Sequence, residues 1–183
     1  YQAEGNYARA IDYYLKSLKI KESIKDDEGV AMTLDNIGVI YYTQKEFDKA
    51  IQYCEKSLLI YKKLNYKRGI ASSMINLANS YEERGDTVKA MKYYQNSLRL
   101  RQEIGDLNGV ALCYNNIAYM LANKKQFKQA LDYQNKSLKI NQDLEDKSGQ
   151  TIVLSSMGSV FKDMGDFNKA IEYGKQALAI ANE

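Results

Sequence analysis

Histidine, proline and tryptophan are absent from these 183 residues, and cysteine occurs only twice. Each absence removes a class of reading. Without histidine, the serine and cysteine triads and the commonest metal ligand are excluded, so catalysis is disfavoured and neither a metal nor another cofactor is expected. Without proline no kink or cis turn is built in, and long uninterrupted helices are permitted throughout. Cys54 and Cys113 lie far apart and belong to no CxxC, so they read as small, buried or half-buried apolar residues and not as a zinc site or a disulfide framework. The two carboxylate clusters, Asp26, Asp27, Glu28 and Glu82, Glu83, sit at helix ends, where caps and solvated faces account for them.

A strong charge of either sign is also missing. With 26 basic against 23 acidic residues the net charge is +3, too small a field to draw nucleic acid or anionic lipid. No apolar run approaches the roughly 18 residues of a membrane span, and the opening YQAEGNYARA has neither a basic n-region nor an apolar h-region. No membrane contact is expected of this stretch. The compartment is not written in it: cytoplasm fits an interaction module, periplasm a sensor. The helical pattern starts inside one helix and stops inside another, so the expectation is a piece of a longer protein.

What the chain has is a period. FDKAIQYCEKSLLI begins at Phe47, FKQALDYQNKSLKI at Phe127 and FNKAIEYGKQALAI at Phe167, with YARAIDYYLKSLKI at Tyr7 and TVKAMKYYQNSLRL at Thr87. Alanine holds positions 10, 50, 90, 130 and 170, tyrosine 13, 53, 93, 133 and 173, and leucine 18, 58, 98, 138 and 178, a step of 40 without insertion or deletion. A second block keeps the same step through Gly29, Gly69, Gly109 and Gly149, then Asn36, Asn76, Asn116 and Ser156, then Ile37, Leu77, Ile117 and Met157. Each unit therefore holds two helical segments.

The first segment, helix A, is GVAMTLDNIGVIYYT from Gly29 in the first full unit, with apolar residues at spacings of three and four. Helix B has two stripes, one through Phe47, Ile51, Cys54 and Leu58, the other through Tyr53, Ser57, Ile60 and Leu64. Two stripes let it pack on two neighbours, as a stacked helix must. Gly38, Ala78, Ala118 and Gly158 in helix A, with the alanine column in helix B, remove bulk where two helix axes approach within about 8 to 10 Å. Asp26 or Asp27, Asp106 and Asp146 are N-cap candidates for helix A. Gly5 with Asn6, Gly85 with Asp86, and Gly165 with Asp166 would supply a left-handed residue and a cap before helix B. Lys45 and Lys125 stand where those glycines stand, so their turns either avoid a positive φ or accept strain.

These residues resemble the tetratricopeptide repeat. Its signature of a large residue, Leu-Gly and Tyr in helix A, then Ala in helix B, is similar to Leu34, Ile37, Gly38, Tyr41, Phe47, Ala50 and Ser57 in one unit and Met74, Leu77, Ala78, Tyr81, Ala90 and Ser97 in the next. The third reads Tyr114, Ile117, Ala118, Leu121, Phe127, Ala130 and Ser137, the fourth Leu154, Met157, Gly158, Phe161, Phe167, Ala170 and Ala177. The usual proline after helix B is missing, and the unit of 40 exceeds the common length of about 34. It is similar in this to the long-repeat variant of spindle-orientation adaptors, bacterial peptide-sensing regulators and the sensor regions of some bacterial kinases. The resemblance implies an all-α, right-handed superhelix of antiparallel helix pairs, about nine helices, with helices A lining the concave face. A lone helix B (1–25) would precede four helix pairs at 26–65, 66–105, 106–145 and 146–183, all in one array.

In the family the inner face of helix A contacts an extended peptide or a partner helix. Mapped here, that face comprises Asp35, Asn36, Val39, Asn76, Asn79, Glu83, Asn115, Asn116, Tyr119, Ser155, Ser156 and Ser159. Asparagine dominates, and an amide offers donor and acceptor together, so such a column could pair with a bound backbone. It could equally hold register by bonding helix backbone or water. The family's clamp for chaperone tails needs lysine and arginine; the matching positions hold Met32, Ser72, Leu112 and Ile152. Lys16, Lys56, Lys136 and Lys139 read as a solvated face of helix B, and the triplet Asn135, Lys136, Ser137 as a chance glycosylation match. The expected function is a scaffold that recognises a protein or peptide segment in this groove, without chemistry. The alternative is the ligand-sensing region of a bacterial histidine kinase or transcription regulator. End-to-end self-association is also open, because no polar capping helix is evident.

Overall fold

A computed structural model describes residues 2–182, with side chains from Asn6 to Asn182. Among the described residues there are nine α-helices and no strand: α1 (Gln2–Ser23), α2 (Asp27–Thr43), α3 (Phe47–Lys63), α4 (Lys67–Glu83), α5 (Thr87–Glu103), α6 (Leu107–Asn123), α7 (Phe127–Asp143), α8 (Lys147–Asp163) and α9 (Phe167–Ala181). The even-numbered helices are helix A of each repeat and the odd-numbered ones helix B. They form two compact units, residues 1–100 and 101–183. None of the described helices is long and apolar enough to cross a membrane.

One turn is used throughout. At the end of α2 the Lys45 amide donates to the Tyr42 carbonyl at 2.9 Å and the Glu46 amide reaches back to the Tyr41 carbonyl at 2.9 Å. This paired closure is the Schellman motif, which needs a left-handed residue just past the helix. The same two bonds recur at Lys25, Asn65, Gly85, Gly105, Lys125, Glu145 and Gly165. Lys45 and Lys125 thus accept a positive φ, 61° and 59°, instead of avoiding it. The carbonyls they help to satisfy outweigh a steric cost of about 1 to 2 kcal/mol each. Helices α2 to α8 are all 17 residues long, so the backbone repeats every twenty residues within a sequence period of 40.

Helix starts follow the acidic caps. Asp26, not Asp27, caps α2 by accepting from the Gly29 amide at 2.9 Å, and Asp106 and Asp146 do the same for Gly109 and Gly149. Asp86 and Asp166 accept from Lys89 and Lys169 before α5 and α9. The expected turn at Gly5 and Asn6 is a correction: α1 runs straight through both. Elsewhere the left-handed residue lets the chain fold back on a preceding helix, and α1 has none before it among the described residues.

In the first unit α1 packs on α2, α2 on α3, α3 on α4, and α2 also meets α4. Ser97 and Tyr93 join α5 to α4. In the second unit α6, α7, α8 and α9 pack in series, and α6 also meets α8. The small residues lie at the tightest crossings: a Cβ on Gly38 would come 3.2 Å from the Ala50 carbonyl oxygen, and one on Gly158 3.2 Å from that of Ala170. Ala50, Ala90 and Ala130 are completely buried.

Two further columns tie each helix B to the helix A before it. Ser57, Ser97 and Ser137 donate through Oγ to the carbonyls of Ala31, Ala71 and Ala111, each at 2.8 Å. The tyrosine column stacks on aromatic residues of helix A: Tyr53 on Tyr41, Tyr93 on Tyr81 and Tyr173 on Phe161, with ring centroids 5.4, 5.7 and 5.2 Å apart. Leu121 interrupts the helix A series, and Tyr133 turns to Tyr114 at 5.7 Å instead. Lys16, Lys56 and Lys136 of helix B lie over the rings of Tyr13, Tyr53 and Tyr133. All three lysines are exposed, so they cover tyrosine faces from the solvated side of helix B.

Candidate functional site

In the first unit the helix A side chains Asp35, Asn36, Val39, Asn76, Asn79 and Glu83 come from α2 and α4, which contact each other directly. Two cavities open along this seam. One, of about 290 Å³, is lined by Met32, Asp35, Asn36, Ser72 and Asn76 of helices A, together with Tyr61, Tyr66, Arg68 and Gly69. The other, of about 200 Å³, is floored by Gly38 and Cys54 and bordered by Val39, Tyr42, Thr43, Asn76, Asn79 and Ser80. Asn76 lines both. Ligand pockets of this kind combine apolar walls with a few polar groups that fix orientation.

Asp35 is the most buried of the expected groove residues, 7% exposed. Its Oδ2 accepts from Ser73 Oγ at 2.7 Å, Ser73 Oγ lies 3.2 Å from Ser57 Oγ, and Ser57 Oγ donates to the Ala31 carbonyl. Oδ1 is buried and has no hydrogen-bond partner. Burial pushes the Asp35 carboxyl up from 3.8 to about 6, against the opposing effect of the Ser73 hydrogen bond and of the neighbouring polar groups of Ser57, Asn76 and Cys54. Burial likewise raises the Cys54 thiol, with the Asp35 charge adding to it, so the thiol is protonated and unreactive. Asn79 is also engaged inside the fold, accepting from the Tyr94 hydroxyl at 2.5 Å. The amides of Asn36 and Asn76 are half-buried, Val39 is 42% exposed and Glu83 is exposed.

In the second unit α6 carries Asn115, Asn116 and Tyr119, and α8 carries Ser155, Ser156 and Ser159. A cavity of about 180 Å³ between these helices and α7 takes in Asn115 together with Leu112, Ile152, Asn108 and Asn141. Asn115 stands where Asp35 stands two repeats earlier, and its Oδ1 is likewise buried without a partner. Asn116 and Ser156 are half-buried, and Tyr119 is 57% exposed. Ser155 and Ser159 are exposed and hydrogen-bond one another along the helix, Ser159 Oγ donating to the Ser155 carbonyl at 3.2 Å.

Two features escape a reading of the period alone. Met32, Leu112 and Ile152, considered above only for the charge they lack, are 50%, 47% and 54% exposed on helices A and line the cavities. The floor of Gly38 and Cys54 was legible only as packing. A signal was available, since Cys54 and Gly174 are the small members of a column otherwise holding Tyr14, Tyr94 and Gln134.

The tetratricopeptide repeat family matches residues 1–63, 30–103, 69–143 and 109–183, and the chain belongs to it. Its fold is the all-α solenoid type of that family. Similar solved structures include BtubC (BKLC) from P. vanneervenii, with a TM-score of 0.83 at 23% identity over 99% of this chain and 75% of the other. A Rap protein complexed with competence and sporulation factor gives 0.84 at 19%, over 99% and 52%. The Rap conjugation gene regulator of the plasmid pLS20, in complex with a Phr peptide, gives 0.83 at 20%, over 98% and 50%. The chain thus spans about half the length of these Rap proteins. No curated protein matches it.

Proposed function

We propose that the chain is a protein-binding scaffold whose helix A seams receive an extended segment of a protein or peptide partner. The observation that carries this reading is the placement of Asn76, half-buried between two cavities that also present Met32, Asn36, Val39 and Asn79. Amides beside apolar walls suit a peptide: the amide pairs with backbone, and the walls take alternate side chains. The engaged Asp35 and Asn79 belong to the frame of the seam, while Asn36, Asn76 and Asn116 are the amides assigned to the partner. Binding is recognition without chemistry, and no nucleic acid or membrane is involved.

Selection of binders from a displayed random-peptide library tests this, followed by titration of the selected peptide against the parent chain and against Asn36→Ala with Asn116→Ala. The reading expects weakened binding with a preserved melting transition. Loss of stability with unchanged binding would assign the amides to the scaffold. A second reading, a sensing region in a bacterial signalling protein, draws support from the two peptide-bound Rap structures that share the fold. The sequence flanking this chain in its gene separates the two: a kinase or DNA-binding module there favours the sensor.

A further inference from the structure

The cavity over Gly38 and Cys54 has a counterpart within the same unit that the protein fills itself. Position 94 of α5 is equivalent to position 54 of α3, and it holds a tyrosine that is 1% exposed. Its hydroxyl reaches Asn79 Oδ1 at 2.5 Å and Glu82 Oε2 at 2.9 Å on helix A of its own repeat, where Ala78 is the equivalent of Gly38. Asn79 and Glu82 are the equivalents of Val39 and Tyr42, which border the cavity over Cys54. The space that a phenol occupies in one repeat is therefore empty in the preceding one, because α3 carries cysteine where α5 carries tyrosine. Glycine at 38 lets Cys54 sit close against α2: a Cβ there would come 2.5 Å from Cys54 Sγ.

We infer that this cavity is the receptor for one aromatic side chain of the bound partner segment, seated ring-first on Gly38 and Cys54. The inference rests on the proposed peptide-binding function and names the chemistry of one anchor. A cavity of about 200 Å³ compares with the roughly 150 Å³ apolar cavity that holds benzene. Its floor is a glycine and a protonated thiol, and sulfur beside a ring is a favourable contact. Val39 and Tyr42 provide an apolar wall on one side, and the amides of Asn76 and Asn79 a polar edge on the other. That edge suits a phenol better than a plain aliphatic group, which would leave it desolvated.

The test uses 4-ethylphenol as the probe and cyclohexanol as its non-aromatic control, each titrated into the isotopically labelled chain and followed by amide chemical shifts. Saturable shifts centred on Val39, Asn76 and Asn79, at least about fivefold tighter for the phenol, are expected. Cys54→Tyr, which copies position 94 and fills the cavity from within, should abolish them. Val39→Trp, which covers the mouth from a solvent-exposed position and leaves the core alone, should do the same. Equal binding of cyclohexanol, no saturable shift, or unchanged shifts in both variants overturns the assignment. A library-selected peptide that loses affinity in Asn36→Ala with Asn116→Ala but keeps it in Cys54→Tyr and Val39→Trp overturns the anchor while leaving the groove reading intact.

Discussion

Ser73 Oγ lies 2.7 Å from Asp35 Oδ2, joining α4 to α2 through a carboxylate that is almost wholly buried. The contact is one of three in a row from Asp35 through Ser73 and Ser57 to the Ala31 carbonyl. Ser73 donates to the carboxylate and Ser57 to the carbonyl, and the two hydroxyl oxygens meet between them.

Stability should accordingly depend on pH in an unusual direction. The folded pKa of Asp35 is about 6 against an ordinary 3.8, so between those values the folded state binds more protons than the unfolded one. Stability then falls as pH rises through this window and is greatest below it. A shift of this size corresponds to about 3 kcal/mol. Asp35→Asn removes the titration and places at 35 the residue already present at 115. Denaturant titrations of parent and variant from pH 4 to pH 8 check this: the variant should gain over the parent as pH rises. A variant less stable than the parent at pH 8 contradicts it.

The serine column makes a prediction in the opposite sense, a gain. Ala177 stands where Ser57, Ser97 and Ser137 donate to helix A, and it is buried, 4% exposed. Ala177→Ser should join α9 to the α8 backbone and add about 1 kcal/mol, the ordinary net contribution of such a bond. Ser137→Ala should cost a similar amount or more, since the Ala111 carbonyl loses its donor. A lower melting temperature for Ala177→Ser would show that the pocket at 177 does not reproduce the others.

Backbone strain at the turns is separable from packing. A Cβ at Gly85 meets nothing within 4 Å, yet φ there is 93°. Gly85→Ala should therefore cost about 1 kcal/mol through the backbone alone. Lys125→Gly, at φ 59°, should gain up to about 1 kcal/mol. Thermal melts of the two variants should move in opposite directions, and parallel shifts would remove backbone strain as the cause.

Close packing sets the last stability prediction. Ala130 has no exposed surface, and the helix A residue at this crossing is Ala118, equally buried. Ala130→Leu should overpack the interface of α6 and α7 and cost about 1 to 3 kcal/mol. An unchanged unfolding midpoint would place Ala130 outside that interface.

The period made the fold legible because it constrains every repeat at once. Alanine at 50, 90 and 130 can recur only where a neighbouring helix comes close, and Asp26, Asp106 and Asp146 each precede a glycine whose amide they accept. The turns were less legible, since a lysine at 45 and a glycine at 85 take the same backbone conformation for the sake of carbonyls the sequence does not display. The site was hardest to read. Asp35 and Asn36 are adjacent, but about 100° of helical rotation turns one into the seam with Ser73 and leaves the other half-buried at a cavity. Whether position 54 is filled or hollow depends on residues 38, 76 and 79 on two other helices. Motif spacing records which side chains recur, and a cavity depends on the one that does not.

The central claim is that the amides of helix A serve a bound segment and not only the scaffold. Calorimetric titration of a library-selected peptide into the parent and into Asn36→Ala with Asn116→Ala, with thermal melts of both, tests it most directly. The account predicts an affinity reduced about tenfold or more, in line with the loss of one or two net hydrogen bonds, and melting temperatures that agree within a few degrees. An unchanged affinity with a clearly lowered melting temperature would contradict it.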